Sequence, residues 1–142
     1  MSNSEHYTLR CVVVDDSVAS RRILVKILES APVDVVAEAD DVDSAVELCR
    51  REKPDILFLD VVMPGGSGVD VLAALHDMIP GIRVLMVTSI DERDTITACR
   101  NLGAVGYILK PYSRDKVLAY VQQVSQEIIS RRGAPNSGGE TL

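Results

Sequence analysis

No apolar run in this chain approaches the roughly 18 residues that a bilayer span requires. The opening stretch MSNSEHYTLR has neither the basic nor the apolar segment of a secretion signal. A cytoplasmic protein with no membrane partner is therefore expected. Basic residues are also short, with 15 Lys and Arg against 21 Asp and Glu for a net charge of −6. No broad positive face is thus available for a phosphate backbone, and no direct nucleic-acid partner is expected. Cysteines are few and scattered: Cys11, Cys49 and Cys99 form no CxxC pair, which argues against a zinc or dithiol site and for small core fillers in a reducing compartment. The glycine-rich loops of nucleotide sites are missing. GGSG at residues 65–68 is not followed by the lysine of GxxxxGK[ST], and GxGxxG does not occur. Internal repeats are absent as well.

With 46% apolar and 25% charged residues in a length of 142, the chain has the composition of one ordinary globular domain. Five compact apolar runs read as buried strands: Leu9–Val14, Val33–Ala37, Ile56–Leu59, Val84–Val87 and Ala104–Leu109. Helical stripes fill the gaps between and after them. Val18, Ile23, Leu24, Ile27 and Leu28 mark the first, Ala45, Val46, Leu48 and Cys49 the second, and Val71, Leu72, Leu75 and Met78 the third. Ile96, Cys99 and Leu102 before a closing Gly103 mark the fourth, and Val117, Val121, Val124 and Ile128 the fifth. Ser89 with Glu92, and Ser113 after Pro111, stand where helix starts are expected. The alternation predicts a (βα)5 doubly wound parallel sheet, an α/β domain with helices on both faces. LRCVVV and DILFLD alternate weakly, as strands covered on both sides do. The domain is expected over residues 9–131, after a flexible N-terminus (1–8) and before a tail or linker start (132–142) that ends GAPNSGGETL.

In an open parallel sheet all strands end at one edge, and ligands bind there. That edge gathers Asp15 and Asp16 after the first run, Asp60 after the third, Thr88 after the fourth and Lys110 after the fifth. Taken singly, each has a plain structural explanation: a helix cap, a turn opener before VVMPGGSG, a strand end, a solvated charge. Together they weigh differently. Two like charges about 4 Å apart at an effective dielectric near 20 repel by about 4 kcal/mol, so three carboxylates in one crevice call for a hard cation. Magnesium takes few carboxylates and fills its octahedron with water or phosphate oxygens. A carboxylate beside such an ion and a lysine is a candidate nucleophile towards phosphorus, which would form an acyl phosphate at Asp60 with Lys110 and the Thr88 hydroxyl on the phosphoryl oxygens. His6 and His76 read as surface residues, not phosphate carriers.

The motifs VVVDDS, LFLDVVMPGGSGVDVL, VTS and GAVGYILKP, in this order over residues 9–131, resemble the receiver domain of two-component response regulators, including the single-domain chemotaxis regulators. The resemblance implies a flavodoxin-like fold with strand order 2-1-3-4-5, for which the chemotaxis regulator is a standard example. It implies Asp60 as phosphoacceptor, Asp15 and Asp16 as the acidic pair, Thr88 and Lys110 beside the phosphoryl group, and Tyr107 as a switch aromatic. Tyr107 also reads as an ordinary half-buried strand residue. The resemblance further implies Mg2+ (or Mn2+), with the backbone carbonyl of Val62 as a ligand. Val62 departs from the polar residues often found there, whereas Ser89 is small as the pattern expects. With Ile90, Val62 would flank the path of an attacking water without orienting it, so slow self-dephosphorylation is expected.

The expected protein is a phosphoacceptor signalling domain and not an enzyme acting on a separate substrate. Its partners would be a histidine kinase or phosphotransfer protein and a downstream effector protein, the signal leaving through protein contacts. Three rival readings stand beside it. One is the receiver module of a longer regulator with a DNA-binding or enzymatic domain after Leu142. Another is an aspartate-dependent phosphohydrolase, weakened because Asp15 and Asp16 are adjacent and do not form DxD. The third, a flavodoxin-like binder of small molecules, sits poorly with a charged crevice.

Overall fold

The computed structural model describes residues 8–133. Its elements run β1 (Leu9–Val14), α1 (Val18–Leu28), β2 (Val33–Ala39), α2 (Val42–Glu52), β3 (Ile56–Leu59), β4 (Val62–Met63), β5 (Gly66–Ser67), α3 (Gly68–Met78), β6 (Arg83–Thr88), α4 (Arg93–Asn101), β7 (Gly106–Leu109) and α5 (Arg114–Gly133). Five of the strands pair in parallel in the order β2-β1-β3-β6-β7. Since β4 and β5 form a separate antiparallel hairpin, this is the expected 2-1-3-4-5 order of a flavodoxin-like sheet.

Successive strand residues face opposite sides of a sheet, and here both sides are apolar. Leu9, Cys11 and Val13 of β1, with Ile56 and Phe58 of β3, pack under Leu24 and Leu28 of α1 and Val117, Val121, Val124 and Ile128 of α5. Val12, Val14, Leu57 and Leu59 meet Ala45 and Cys49 of α2, Val71, Leu72 and Leu75 of α3, and Cys99 of α4. Helices α1 and α5 therefore cover one face and α2, α3 and α4 the other. All three cysteines are buried and unpaired, as expected. Burial pushes the Cys11 and Cys49 thiols up to about 12.

Side-chain caps fix where the helices begin. Ser17 Oγ accepts from Ser20 N at the start of α1, and an Asp41 oxygen accepts from Ser44 N at α2. Ser67 and Asp70 close a capping box on α3. Ser113 caps α5 through Lys116 N at 3.1 Å, as expected. The Ser89–Glu92 spacing does not form the expected box: Glu92 itself is the N-cap residue, with no side-chain cap bond. Gly103 follows α4 at a φ of 101°, a left-handed stop that favours glycine.

Several expected boundaries shift. β2 continues to Ala39 because Glu38 and Ala39 pair with Val13 and Val14. β6 gains a residue at each end, while β7 starts at Gly106 because Ala104 N instead closes the α4 turn on Cys99 O. Val18, Ile23 and Met78 belong to helical stripes by spacing but stay exposed, at 54%, 57% and 41%. Helix α5 runs to Gly133, two residues beyond the expected domain limit. Most of the expected N-terminal segment, His6 included, and the tail from 134 lie outside the described residues. No helix among the described residues is long and apolar enough to cross a membrane.

Candidate functional site

The sheet's hydrogen-bond ladder continues just past the strand ends and fixes the backbone of each site residue. Asp15 N donates to Ala39 O at 3.1 Å, Asp60 N to Val14 O at 3.0 Å and Lys110 N to Thr88 O at 2.9 Å. Asp15, Asp60 and Thr88 are buried, at 4%, 5% and 0% exposure. The Lys110 ammonium lies between the two acids, donating to Asp15 Oδ2 at 2.8 Å and to Asp60 Oδ2 at 2.9 Å. The other oxygens are held by the main chain: Ser17 N donates to Asp15 Oδ1 at 2.9 Å and Val62 N to Asp60 Oδ1 at 3.2 Å. Burial by itself pulls the Lys110 ammonium down, but the hydrogen bonds it donates to both acids, together with their charges, outweigh it and hold it above the ordinary lysine value.

Asp16, exposed to solvent, completes the cluster: each of Asp15, Asp16 and Asp60 brings one carboxylate oxygen within 4.8 Å of the others. Three carboxylates against one ammonium leave two negative charges, the complement of a divalent ion. The donors are hard oxygens and one acid faces solvent, which suits Mg2+ or Mn2+ with retained waters. The residues present therefore fit the metal that the sequence implied.

Thr88 Oγ1 accepts from Ile90 N at 3.4 Å. Tyr107 pairs in the sheet with Met86, two residues before Thr88, and its hydroxyl donates to Ile90 O at 2.7 Å. Burial is the main cause that pushes the Tyr107 phenol up to about 12. The Thr88–Ile90 turn is thus tied to both strand ends. Val62 is 52% exposed, whereas Ile90 is half-buried against the core, so only Val62 stands open at the mouth. His76 is exposed and contacts Leu102 O at 3.1 Å.

Two residues at the site went unrecognised in the sequence. Ser17 serves twice, as cap of α1 and through its N–H on Asp15. Gly68 is buried where α3 starts, and its N–H donates to Val61 O at 2.7 Å. A Cβ there would run into the backbone carbonyl of Asp60. The signal was present in GGSG, which reads in the sequence only as a nucleotide loop ruled out for want of the following lysine; its last glycine is what lets α3 approach the Asp60 turn.

The chain matches the family described as "Response regulator receiver domain" over residues 11–122. It is 37% identical over 122 residues to the probable transcriptional regulatory protein NarL of Mycobacterium tuberculosis, an alignment covering 85% of this chain and 56% of that protein. It thus spans little more than half of that regulator. Over 118 residues it is 30% identical to the chemotaxis protein CheY of Listeria monocytogenes, covering 83% of this chain and 99% of CheY. Among solved structures it resembles the CheX–CheY–BeF3–Mg2+ complex of Borrelia burgdorferi. The match has a TM-score of 0.79 and 27% identity, and covers 87% of this chain and 98% of that one. With the order of its strands and the match to most of its length, the chain belongs to the response regulator receiver domains of two-component signalling.

Proposed function

We propose that Asp60 accepts a phosphoryl group from the phosphohistidine of a kinase or phosphotransfer protein. The observation that carries this is the single ammonium of Lys110 bridging two buried carboxylates, Asp15 and Asp60, with Asp16 beside them. An Asp60 oxygen attacks phosphorus, the P–N bond to the donor imidazole breaks, and an acyl phosphate remains on Asp60. A divalent ion held by Asp15, Asp16, Asp60 and the Val62 carbonyl would supply charge neutralisation for the phosphoryl oxygens. Lys110 offers its protons to the same oxygens and orients Asp60 before transfer. That a relative is described in complex with BeF3, Mg2+ and a protein partner supports a similar pairing of metal and protein partner here.

Thr88 and Tyr107 make the readout. A phosphoryl oxygen on Asp60 gives the Thr88 hydroxyl a stronger partner than the 3.4 Å contact from Ile90 N, and rotation towards it disturbs the loop whose carbonyl holds Tyr107. The surface of α4, β7 and α5 then has two packings, and an effector protein that favours one shifts the population. The chain acts as a phosphoacceptor switch, with no separate substrate turned over.

Incubation with a small phosphodonor and Mg2+ should add one phosphoryl group by intact mass, an addition that does not take place when EDTA is present from the start or in Asp60→Asn. An equally labelled Asp60→Asn protein overturns the assignment.

A further inference from the structure

On α1, one turn beyond the acidic pair, Arg21 folds back to the loop that carries it. Its Nη1 donates to the backbone carbonyl of Asp15 at 2.7 Å, and its Nε donates to Glu38 Oε1 on β2 at 2.8 Å. The Arg21 side chain is only 17% exposed, while that of Glu38 is 43% exposed. The carbonyl it grips belongs to the peptide linking Asp15 to Asp16. Asp15 has further restraints, from Lys110 and from Ser17 N. Asp16 is exposed, so the plane of that peptide sets the direction in which its side chain leaves the backbone.

We infer that Arg21 is a positioning residue for the divalent ion, holding the Asp15–Asp16 peptide so that Asp16 faces the other two acids, with Glu38 locking the guanidinium in place. This rests on the metal-site reading above. The planar fork of arginine is needed because one group must satisfy a carbonyl on one strand end and a carboxylate on the neighbouring strand. A carbonyl held by an arginine cannot swing to another donor, so the ligand direction is set before the ion arrives. The charge of Arg21 acts in the opposite sense: a cation near the site repels the metal. The two roles therefore predict opposite changes on mutation.

The test is Mg2+ titration of the full chain by calorimetry, repeated with Mn2+ by electron paramagnetic resonance, alongside metal-free melting and the backbone amide NMR shifts of Asp16 and Ser17. Removing groups that orient metal ligands weakens affinity by roughly 10–100-fold. For Arg21→Ala the expected loss is about tenfold, since Asp15 keeps its other restraints. Arg21→Lys keeps the charge and one donor and should fall between. Glu38→Gln, which leaves the carbonyl bond, should lose only a few-fold, with the Asp16 amide shifted in all three variants. Wild-type affinity in Arg21→Ala, tighter binding there, or a loss that disappears once affinity is scaled to the folded fraction overturns the inference. Asp16→Ala separates the two readings. If it leaves affinity unchanged, the metal site itself is wrong; if it weakens binding and Arg21→Ala does not, only the positioning role fails.

Discussion

Replacing Lys110 with methionine removes one charge and keeps most of the side-chain volume. Asp15 and Asp60 are 4% and 5% exposed, and the ammonium sits 2.8 and 2.9 Å from them. At an effective dielectric near 20, each contact has a gross attraction of about 6 kcal/mol, most of it offset by desolvation of the three groups. Breaking a buried pair by deleting one partner leaves a net cost of about 3–5 kcal/mol. Since the Lys110 side chain is 22% exposed, the lower end applies, about 3 kcal/mol. For a domain of this size that is a fall in Tm of about 10 °C without metal. Magnesium should restore more stability to Lys110→Met than to the wild type, because the ion meets an acidic cluster with no competing cation and binds it more tightly. The pH dependence has a definite sign. Lys110 is held above its ordinary value in the folded protein, so its contribution is complete below the unfolded lysine pKa of about 10.4 and is lost as pH rises through the folded value. The alkaline fall in stability should be shallower in the variant. Calorimetric melting at neutral and alkaline pH, with EDTA and with saturating Mg2+, measures all three. A variant that melts with the wild type in EDTA, or gains less from Mg2+, would show that the ammonium does not balance these two acids.

Gly68→Ala should lower stability by about 1–3 kcal/mol, because a Cβ cannot fit against the Asp60 backbone without moving it. It should also slow phosphorylation more than a neutral α3 substitution such as Ala73→Ser does. Equal rates of small-donor labelling would dissociate Gly68 from the site. Val62→Asn with Ile90→Glu should speed loss of the phosphoryl group, as polar side chains orient the attacking water; decay followed by mass that is unchanged or slower removes the argument. Because Val62 is the open side chain and Ile90 is half-buried, the Val62 change alone should give most of the effect. Thr88→Ala should still be phosphorylated yet lose most of the phosphorylation-dependent gain in effector affinity. If Thr88→Ala and Tyr107→Ala both retain full coupling in titrations, the signal leaves elsewhere.

The meeting of Asp15, Asp16, Asp60 and Lys110, with Thr88 at the next strand end, was legible because a parallel sheet makes it a consequence of strand order, whatever the loops do. Strand interiors such as Ile56–Leu59 were legible for a related reason: a run apolar on both faces has no stable place except between two helical layers. Limits were less so. Glu38 ends an apolar run but still pairs with Val13, since β2 is an edge strand and its outward side chain reaches solvent. The β4–β5 hairpin inside VVMPGGSG read as a turn because two-residue strands carry no periodicity. Ser89 had the spacing of a cap, but its place was decided by the Thr88–Ile90–Tyr107 contacts, which bind the chain before α4 begins. Gly68 and Ser17 escaped because their importance lies in what approaches them from another element, a relation that sequence order does not record.

The buried cysteines have a practical consequence for testing the proposed switch. With every native thiol packed between sheet and helices, and two of them ionising only near pH 12, maleimides and methanethiosulfonates find little thiolate to attack. Two cysteines, one placed at exposed Gln123 on α5 and one at exposed Thr97 on α4, should therefore take spin or fluorescent labels against an unmodified native background. The distance between those labels, read with and without phosphodonor, tests whether α4 moves against α5 in the otherwise natural chain.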